Sequence, residues 1–222
     1  MPSDTNAKAV VTDDTSKTQR VYLELRRRIR ELELPPGARL NKNDIADEFG
    51  VSRAPVSDAL ARLAEEGLVD VFPQNGSFVA PIRDEDIRES MLIRTALEIE
   101  AIRQVTEIAD DDLIARLSDN LERQKKAVEG ENMSRLDELD EAFHSIIMEA
   151  LDAPRLQRLL DGCRARLDRP RFHALPVYGR PAATLAEHQR IFDAIRSGDP
   201  EYASSAMRVH LKKVAQAIQN DP

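Results

Sequence analysis

"NDIADEFGVSRAPVSDALARLAEEGLV" (residues 43–69) holds two candidate helices separated by a four-residue turn built on Gly50. In the second, Val56, Ala59, Leu60 and Leu63 recur at spacings of three and four, which predicts a helix over about 53–66. Ser52 is its candidate N-cap and Gly67 its stop. A shorter helix over 44–49 precedes it, with Asn43 as candidate cap and Gly50 as closing residue. The turn "FGVS" has the length that sets two helices at a steep angle.

Working outward, residues 17–33 read as a helix with Val21, Leu25, Ile29 and Leu32 on one face. "LPPGARL" (34–40) ends it, because Pro35, Pro36 and Gly37 stop helices and turn chains. Downstream, "LVDVF" and "SFVAPI" read as two strands around "PQNG", with Asn75-Gly76 as a tight hairpin turn. This is the order of elements in a winged helix-turn-helix. Such a fold presents the N-terminal residues of its second helix to a major groove. Here those are Ser52, Arg53, Ala54, Pro55 and Ser57, with Arg53 the best hydrogen-bond donor to guanine. Gly76 at the wing tip is small enough to approach a minor groove or a backbone. The same helix-Gly-helix pattern also occurs in proteins that never touch DNA, and the pattern alone leaves both readings open.

Composition sets limits on function. The 222 residues suggest one large domain or two small ones, and the 41% apolar content is enough for a core. No apolar run approaches the roughly 20 residues of a membrane span. The N-terminal stretch 1–15 lacks a basic start followed by an apolar block and reads as a disordered tail rather than a secretory signal. A single cysteine, Cys163, excludes an internal disulfide and fits a reducing cytoplasm. The net charge of −8 argues against nucleic acid, but the average conceals a division. Residues 82–222 carry 21 Lys and Arg against 27 Asp and Glu, whereas residues 1–81 carry 11 against 13. "RRRIR" also gathers Arg26, Arg27, Arg28 and Arg30 within about one and a half helical turns. The average therefore leaves room for a locally basic front half on an acidic body.

Beyond Pro81 only helices are predicted, about six, over 84–108, 110–129, 132–150, 153–169, 182–197 and 200–218. "RPRFHALPVYGRP" (169–181) reads as the one long irregular loop. The chain is thus expected to be mainly α. A winged helix-turn-helix with a small β-hairpin wing would occupy 16–81, and an all-α antiparallel bundle 82–222.

Histidine is rare, and its placement is informative. His144 shares a stripe with Asp140, Ile147 and Leu151; His188 with Leu185 and Ile195; His210 with Ala203, Met207 and Val214. Three helices each turn one imidazole inward, and one turns a carboxylate with it. Any single inward histidine is commonly a core residue with a hydrogen-bond partner. Burying three with an aspartate and no partners would cost several kcal/mol. A divalent cation would satisfy all four at once, with zinc, nickel, manganese and iron suited to this donor set. His173 lies in the Pro-rich stretch and reads as incidental.

Residues 22–79 closely resemble the winged-helix domain of the GntR family of bacterial transcription regulators. The likeness rests on Tyr22, Leu25, Ile29, "LPPGARL" (34–40), "IADEFGVSRAPV" (45–56), "ALARL" (59–63), "EGLV" (66–69) and "GSFV" (76–79). It implies DNA contacts from Ser52, Arg53, Ala54, Pro55 and Gly76, and from Arg39. Two positions depart from the family pattern: Ser57 stands where an Arg is common, and Asn43 where a basic residue is sometimes used. Two fewer cations point to fewer phosphate contacts or a different base preference.

The helical half resembles the FCD ligand-sensing domain of the FadR subfamily, in "RTALE" (94–98), "DEAFH" (140–144), "EHQRI" (187–191), "AIRSGD" (194–199) and "MRVHL" (207–211). About six helices suggests the shorter, VanR-like variety. The resemblance implies a metal held by Asp140, His144, His188 and His210, zinc foremost. It also implies a small carboxylic acid bound beside the metal. Arg94 is the first candidate to pair with that acid, since it shares an inward stripe with Met91 and Glu98. An internal Arg94–Glu98 ion pair is the competing reading. Arg164 and Arg166, flanking Cys163, are weaker candidates.

The function these readings imply is a ligand-responsive transcription regulator, not an enzyme, that binds a palindromic double-stranded operator as a homodimer. The alternative is a metal-dependent hydrolase-like enzyme using the Asp/His3 site. It lacks a recognisable general-base motif such as H-E-x-x-H and leaves the winged helix without a role. A purely structural metal is compatible with the first reading.

Overall fold

The computed structural model describes the backbone of residues 5–177 and 180–219 and the side chains of residues 16–170 and 181–218. It divides into two compact units, Met1–Arg83 and Asp84–Pro222.

The first unit runs α1 (Thr5–Arg30), β1 (Arg39–Leu40), α2 (Lys42–Phe49), α3 (Arg53–Glu65), β2 (Val69–Phe72) and β3 (Gly76–Val79). Val21, Leu25 and Ile29 of α1 are fully buried, as are Val56, Ala59, Leu60 and Leu63 of α3. A polar clasp ties the two helices: Tyr22 donates its hydroxyl hydrogen to Glu66 at 2.6 Å, and the Arg62 guanidinium sits 3.8 Å from the Tyr22 ring centroid. Gly50 ends α2 in the left-handed region (φ 62°) and turns the chain into α3.

Four local expectations are corrected. The tail expected over 1–15 carries helix from Thr5, with residues 1–4 outside the described residues. No Gly or Pro interrupts 5–33, so a helix nucleated by packing at Val21, Leu25 and Ile29 propagates upstream at little cost. The cap of α2 is Asn41, not Asn43; its side chain accepts from the Asn43 backbone N–H at 3.0 Å. The hairpin has three loop residues, because Phe72 pairs with Gly76, and positive φ falls on Gln74 (63°) and Gly76 (110°) rather than on Asn75. The sheet also gains a third strand, in the order β1-β3-β2, by pairing Arg39 with Phe78 and Leu40 with Ser77.

The second unit consists, among the described residues, of six helices: α4 (Asp84–Ile108), α5 (Asp111–Glu129), α6 (Met133–Glu149), α7 (Pro154–Val177), α8 (Arg180–Arg196) and α9 (Pro200–Gln219). Side chains cap two of them: Asp110 accepts from the Leu113 N–H and Asn132 from the Arg135 N–H. α4 packs on α7 and α9, and α5 packs on α6 and α8. Ile102, Leu117, Phe143, Ile147, Ile191, Met207 and Leu211 are fully buried in the shared core.

The loop expected over 169–181 is largely helical. α7 continues to Val177 and α8 begins at Arg180, with residues 178 and 179 outside the described residues. Leu160, Cys163 and Leu167 bury one face of α7, so tertiary packing carries the helix through Pro170 despite its missing N–H. The side chain of His173 lies outside the described residues. No described helix is long and apolar enough to cross a membrane.

Candidate functional site

Asp140 and His144 lie one turn apart on α6, His188 lies on α8 and His210 on α9. All four are buried, and one ligand atom from each lies within 4.8 Å of the others. Separations of this order let one cation address all four donors, with metal–nitrogen and metal–oxygen bonds of about 2.0–2.2 Å after a small contraction. The imidazole centroids stand 4.7–5.4 Å apart. Phe143 closes one side by stacking on the His188 ring at 4.3 Å and 14°.

Each imidazole is held from behind. His188 Nδ1 lies 2.9 Å from Gln124 Oε1. Gln124 is itself oriented, because its amide donates to Asn120 Oδ1 at 2.6 Å and Asn120 donates to the Leu139 carbonyl at 3.1 Å. With the Gln124 carbonyl facing the ring, Nδ1 of His188 carries the hydrogen and Nε2 the lone pair. His210 Nδ1 meets Glu187 Oε2 at 2.9 Å, and Lys213 supports that carboxylate at 3.1 Å. His144 Nδ1 lies 2.6 Å from Glu98 Oε2. For His188 and His210 an amide or carboxylate oxygen on Nδ1 fixes the tautomer and leaves Nε2 to the common centre; at His144 the Glu98 carboxylate stands beside Nδ1 without an aligned hydrogen bond among the described residues.

That centre fits a cation. Nε2 of His144 and of His210 are buried without a hydrogen-bond partner among the described residues, and Nε2 of His188 stands 3.5 Å from Asp140 Oδ1. Burial pushes His144 down to about 4 against the pull of Glu98, so it is neutral at pH 7, the form that coordinates a metal. Three buried imidazoles and a carboxylate converge there, a donor set that suits a divalent cation.

Beside this centre lies a second buried cluster. Arg94 Nε contacts Glu98 Oε1 at 2.8 Å, with both side chains fully buried. The Arg94–Glu98 ion pair weighed from the sequence is therefore present, yet Nη1 of Arg94 finds no hydrogen-bond partner among the described residues. Burial opposes ionisation of Glu98, but Arg94, His144 and Arg164 together outweigh it and hold the carboxyl well below the usual range. Arg164 is equally buried, whereas Arg166 is only half-buried.

In the first unit, Ser52, Arg53 and Ala54 are exposed at the start of α3, Ser57 is half-buried one turn on, and Pro55 is buried. Pro55 thus sets the first turn from the inside rather than presenting itself to a groove. Arg53 makes no ion pair among the described residues. Arg39 is exposed on β1 beside the wing tip, its Nε 3.7 Å from where a Cβ on Gly76 would sit. Lys42, which the sequence reading passed over, lines the same concave face with Arg39, Gln74, Asn75 and Gly76.

The "RRRIR" cluster does not make the front half locally basic. Arg27 is bonded to Glu24, Glu31 and Glu33, and Arg28 to Glu24 and Glu48. Arg30 pairs with Glu31 at 3.1 Å, and Arg26 lies 3.6 Å from Glu66. The pairing is strong enough to hold Glu24 down at about 2, through its bonds to Arg27 and Arg28. Four arginines crowded in sequence are neutralised by carboxylates, two of which reach across from Glu48 and Glu66.

Comparison with known proteins matches both units to described families. Residues 17–79 match "Bacterial regulatory proteins, gntR family", and residues 89–213 match "FCD domain". An uncharacterized HTH-type transcriptional regulator in an unstable DNA locus of Streptomyces ambofaciens is 36% identical, over 94% of this chain and 87% of its own. The HTH-type transcriptional repressor RspR of Escherichia coli K12 is 30% identical, over 90% of this chain and 88% of its own. Among solved structures, a transcriptional regulator GntR from Rhodococcus sp. RHA1 superposes with a TM-score of 0.77 at 26% identity, covering 93% of this chain and 99% of that one. These are transcription regulators rather than enzymes.

Proposed function

The chain belongs to the gntR family of bacterial regulatory proteins and carries an FCD domain, and from this premise we propose that it is a cytoplasmic, metal-containing repressor whose operator affinity is set by a small carboxylic acid. It binds a palindromic operator as a homodimer, so that two recognition helices meet two half-sites. Repression follows the sense of the E. coli relative, which is named a repressor.

In this reading Arg53 reads base edges from the start of α3, with Ser52, Ala54 and Ser57 beside it. Arg39, Lys42 and Gly76 bring the wing against the backbone or minor groove. Asp140, His144, His188 and His210 hold a divalent cation, zinc foremost, with nickel, manganese or iron as the other metals suited to these ligands. When bound, the metal supplies positive charge and open positions for a carboxylate oxygen. Gln124, Glu187 and Glu98 keep the imidazoles aimed, and the free Nη1 edge of Arg94 pairs with the acid. The observation that carries the reading is the convergence of three buried imidazoles and the Asp140 carboxylate, with Nε2 of His144 and of His210 lacking a hydrogen-bond partner among the described residues.

The acid acts by binding one of two states of the protein better than the other. Fluorescence anisotropy on a duplex from the gene's own upstream region tests this. Metal-loaded protein should bind that duplex specifically, and one or more carboxylic acids should shift the affinity. No specific binding at low salt, or binding indifferent to metal and to every acid tried, overturns it.

A further inference from the structure

Arg94 and Arg164 approach the same buried carboxylate. Arg94 Nε contacts Glu98 Oε1 at 2.8 Å, and Arg164 Nη2 stands 3.5 Å from that same oxygen. Both guanidiniums are 1% exposed. Glu98 has only one charge for two cations, and it also gives its other oxygen to His144. The remaining contacts of Arg164 are on its Nη1: the Ser145 hydroxyl at 3.2 Å and Asp161 at 3.9 Å, the latter about half exposed to water. Nη1 of Arg94 and Nε and Nη2 of Arg164 are left buried without a hydrogen-bond acceptor among the described residues. Buried guanidinium nitrogens of this kind are costly unless an anion meets them.

We propose that Arg94 and Arg164 form an anion-binding pole, separate from the metal-facing pole, so that the effector is a small dianion such as a dicarboxylate, with Arg164 setting the preference for the second charge. The inference rests on the metal-site reading and deepens it. Glu98 divides the two poles: Oε2 addresses a metal-ligating imidazole, and Oε1 addresses the guanidiniums. One carboxylate would fill open positions at the metal formed by Asp140, His144, His188 and His210. The second would supply acceptor oxygens to the planar, fork-like donors of Arg94 and Arg164, a geometry that suits guanidinium better than ammonium. Thr184 lies one turn before His188 on α8, and its Oγ1 is likewise buried without a hydrogen-bond partner among the described residues, which leaves a hydroxyl for a polar substituent on the ligand.

The test uses full-length, metal-loaded protein and two probe series matched in carbon number, malonate and succinate against propionate and butyrate. Calorimetric titration and thermal shift are the readouts, and bound metal is counted separately by elemental analysis. Wild type should bind a dicarboxylate roughly 10- to 100-fold more tightly than the matched monocarboxylate, the effect of one charge-assisted contact. Arg164→Gln should weaken dicarboxylate binding far more than monocarboxylate binding and so close that gap, and Arg164→Lys should restore part of it. Equal affinity for the two series in metal-loaded wild type overturns the proposal, and this comparison does not depend on any variant folding. A gap that persists in Arg164→Gln overturns the role of Arg164. Absence of bound metal overturns the metal-site reading together with this one, whereas metal bound without a dicarboxylate preference overturns this one alone.

Discussion

Returning a divalent metal to chelator-stripped protein should raise the melting temperature of the Asp84–Pro222 unit by more than ten degrees. The magnitude has two independent sources. Nε2 of His144 and Nε2 of His210 are buried without partners, and each such atom costs about 1–3 kcal/mol. Relieving both therefore returns about 2–6 kcal/mol. Mass action gives a comparable figure, since free metal at a thousandfold excess over Kd contributes about 4.1 kcal/mol. A unit of this size shifts by roughly 3–5 °C per kcal/mol, which brings the expected rise to roughly 12–20 °C. The assay is differential scanning calorimetry of the full chain, with and without zinc, nickel or manganese. The transition of the Met1–Arg83 unit, which holds none of the four ligands, should stay in place. Asp140→Ala removes the anionic ligand; a hundredfold weaker site leaves only about 1.4 kcal/mol of linkage, so the shift should fall to about a third. A shift under about 2 °C with every metal, or an Asp140→Ala protein that responds like wild type, would refute the reasoning.

Three further outcomes are expected. Arg53→Ala should weaken specific operator binding by about 1–3 kcal/mol, whereas Arg27→Ala, whose guanidinium is already engaged by Glu24, Glu31 and Glu33, should leave it unchanged; anisotropy titrations that rank the two the other way would return the basic cluster to the interface. Gln124→Leu keeps all four ligands but removes the oxygen behind His188, so metal affinity measured by competition with a chromogenic chelator should fall about 10- to 100-fold. In metal-free protein, acidification should destabilise the helical unit through His144. Burial lowers its folded value to about 4, so its contribution is complete above about 6.5, the unfolded value, and is lost as pH falls toward the folded one. The urea midpoint should decline over that window, and a His144→Gln protein with an equally steep decline would rule out this residue as the cause.

Much of the fold is legible residue by residue. Gly50 and Gly67 mark the ends of α2 and α3, and the apolar spacings of α1 and α3 place their buried faces. The misreadings share a cause. Pro170 signals a break locally, yet α7 continues because its buried face holds it. "NG" signals a two-residue turn locally, yet the pairing of Phe72 with Gly76 spaces the strands for three. In the first, packing against other helices outweighed a local preference worth a few kcal/mol at most; in the second, the register of the two strands did.

The candidate site divides along the same line. Helical geometry alone places Asp140 and His144 on one face, because residues four apart are neighbours whatever else the chain does. It likewise turns His188 and His210 into their own cores, so the four buried donors could be named from the sequence. That their atoms meet within 4.8 Å is a property of how α6, α8 and α9 pack. The partners that aim them come from other elements too: Glu98 from α4 and Gln124 from α5. The same holds for the "RRRIR" cluster, whose sequence is basic but whose charge is cancelled in part by Glu48 and Glu66, remote in the chain. Sequence periodicity determined which side chains face inward; tertiary packing decided which of them face each other, since only the folded chain brings separate helices within hydrogen-bonding range.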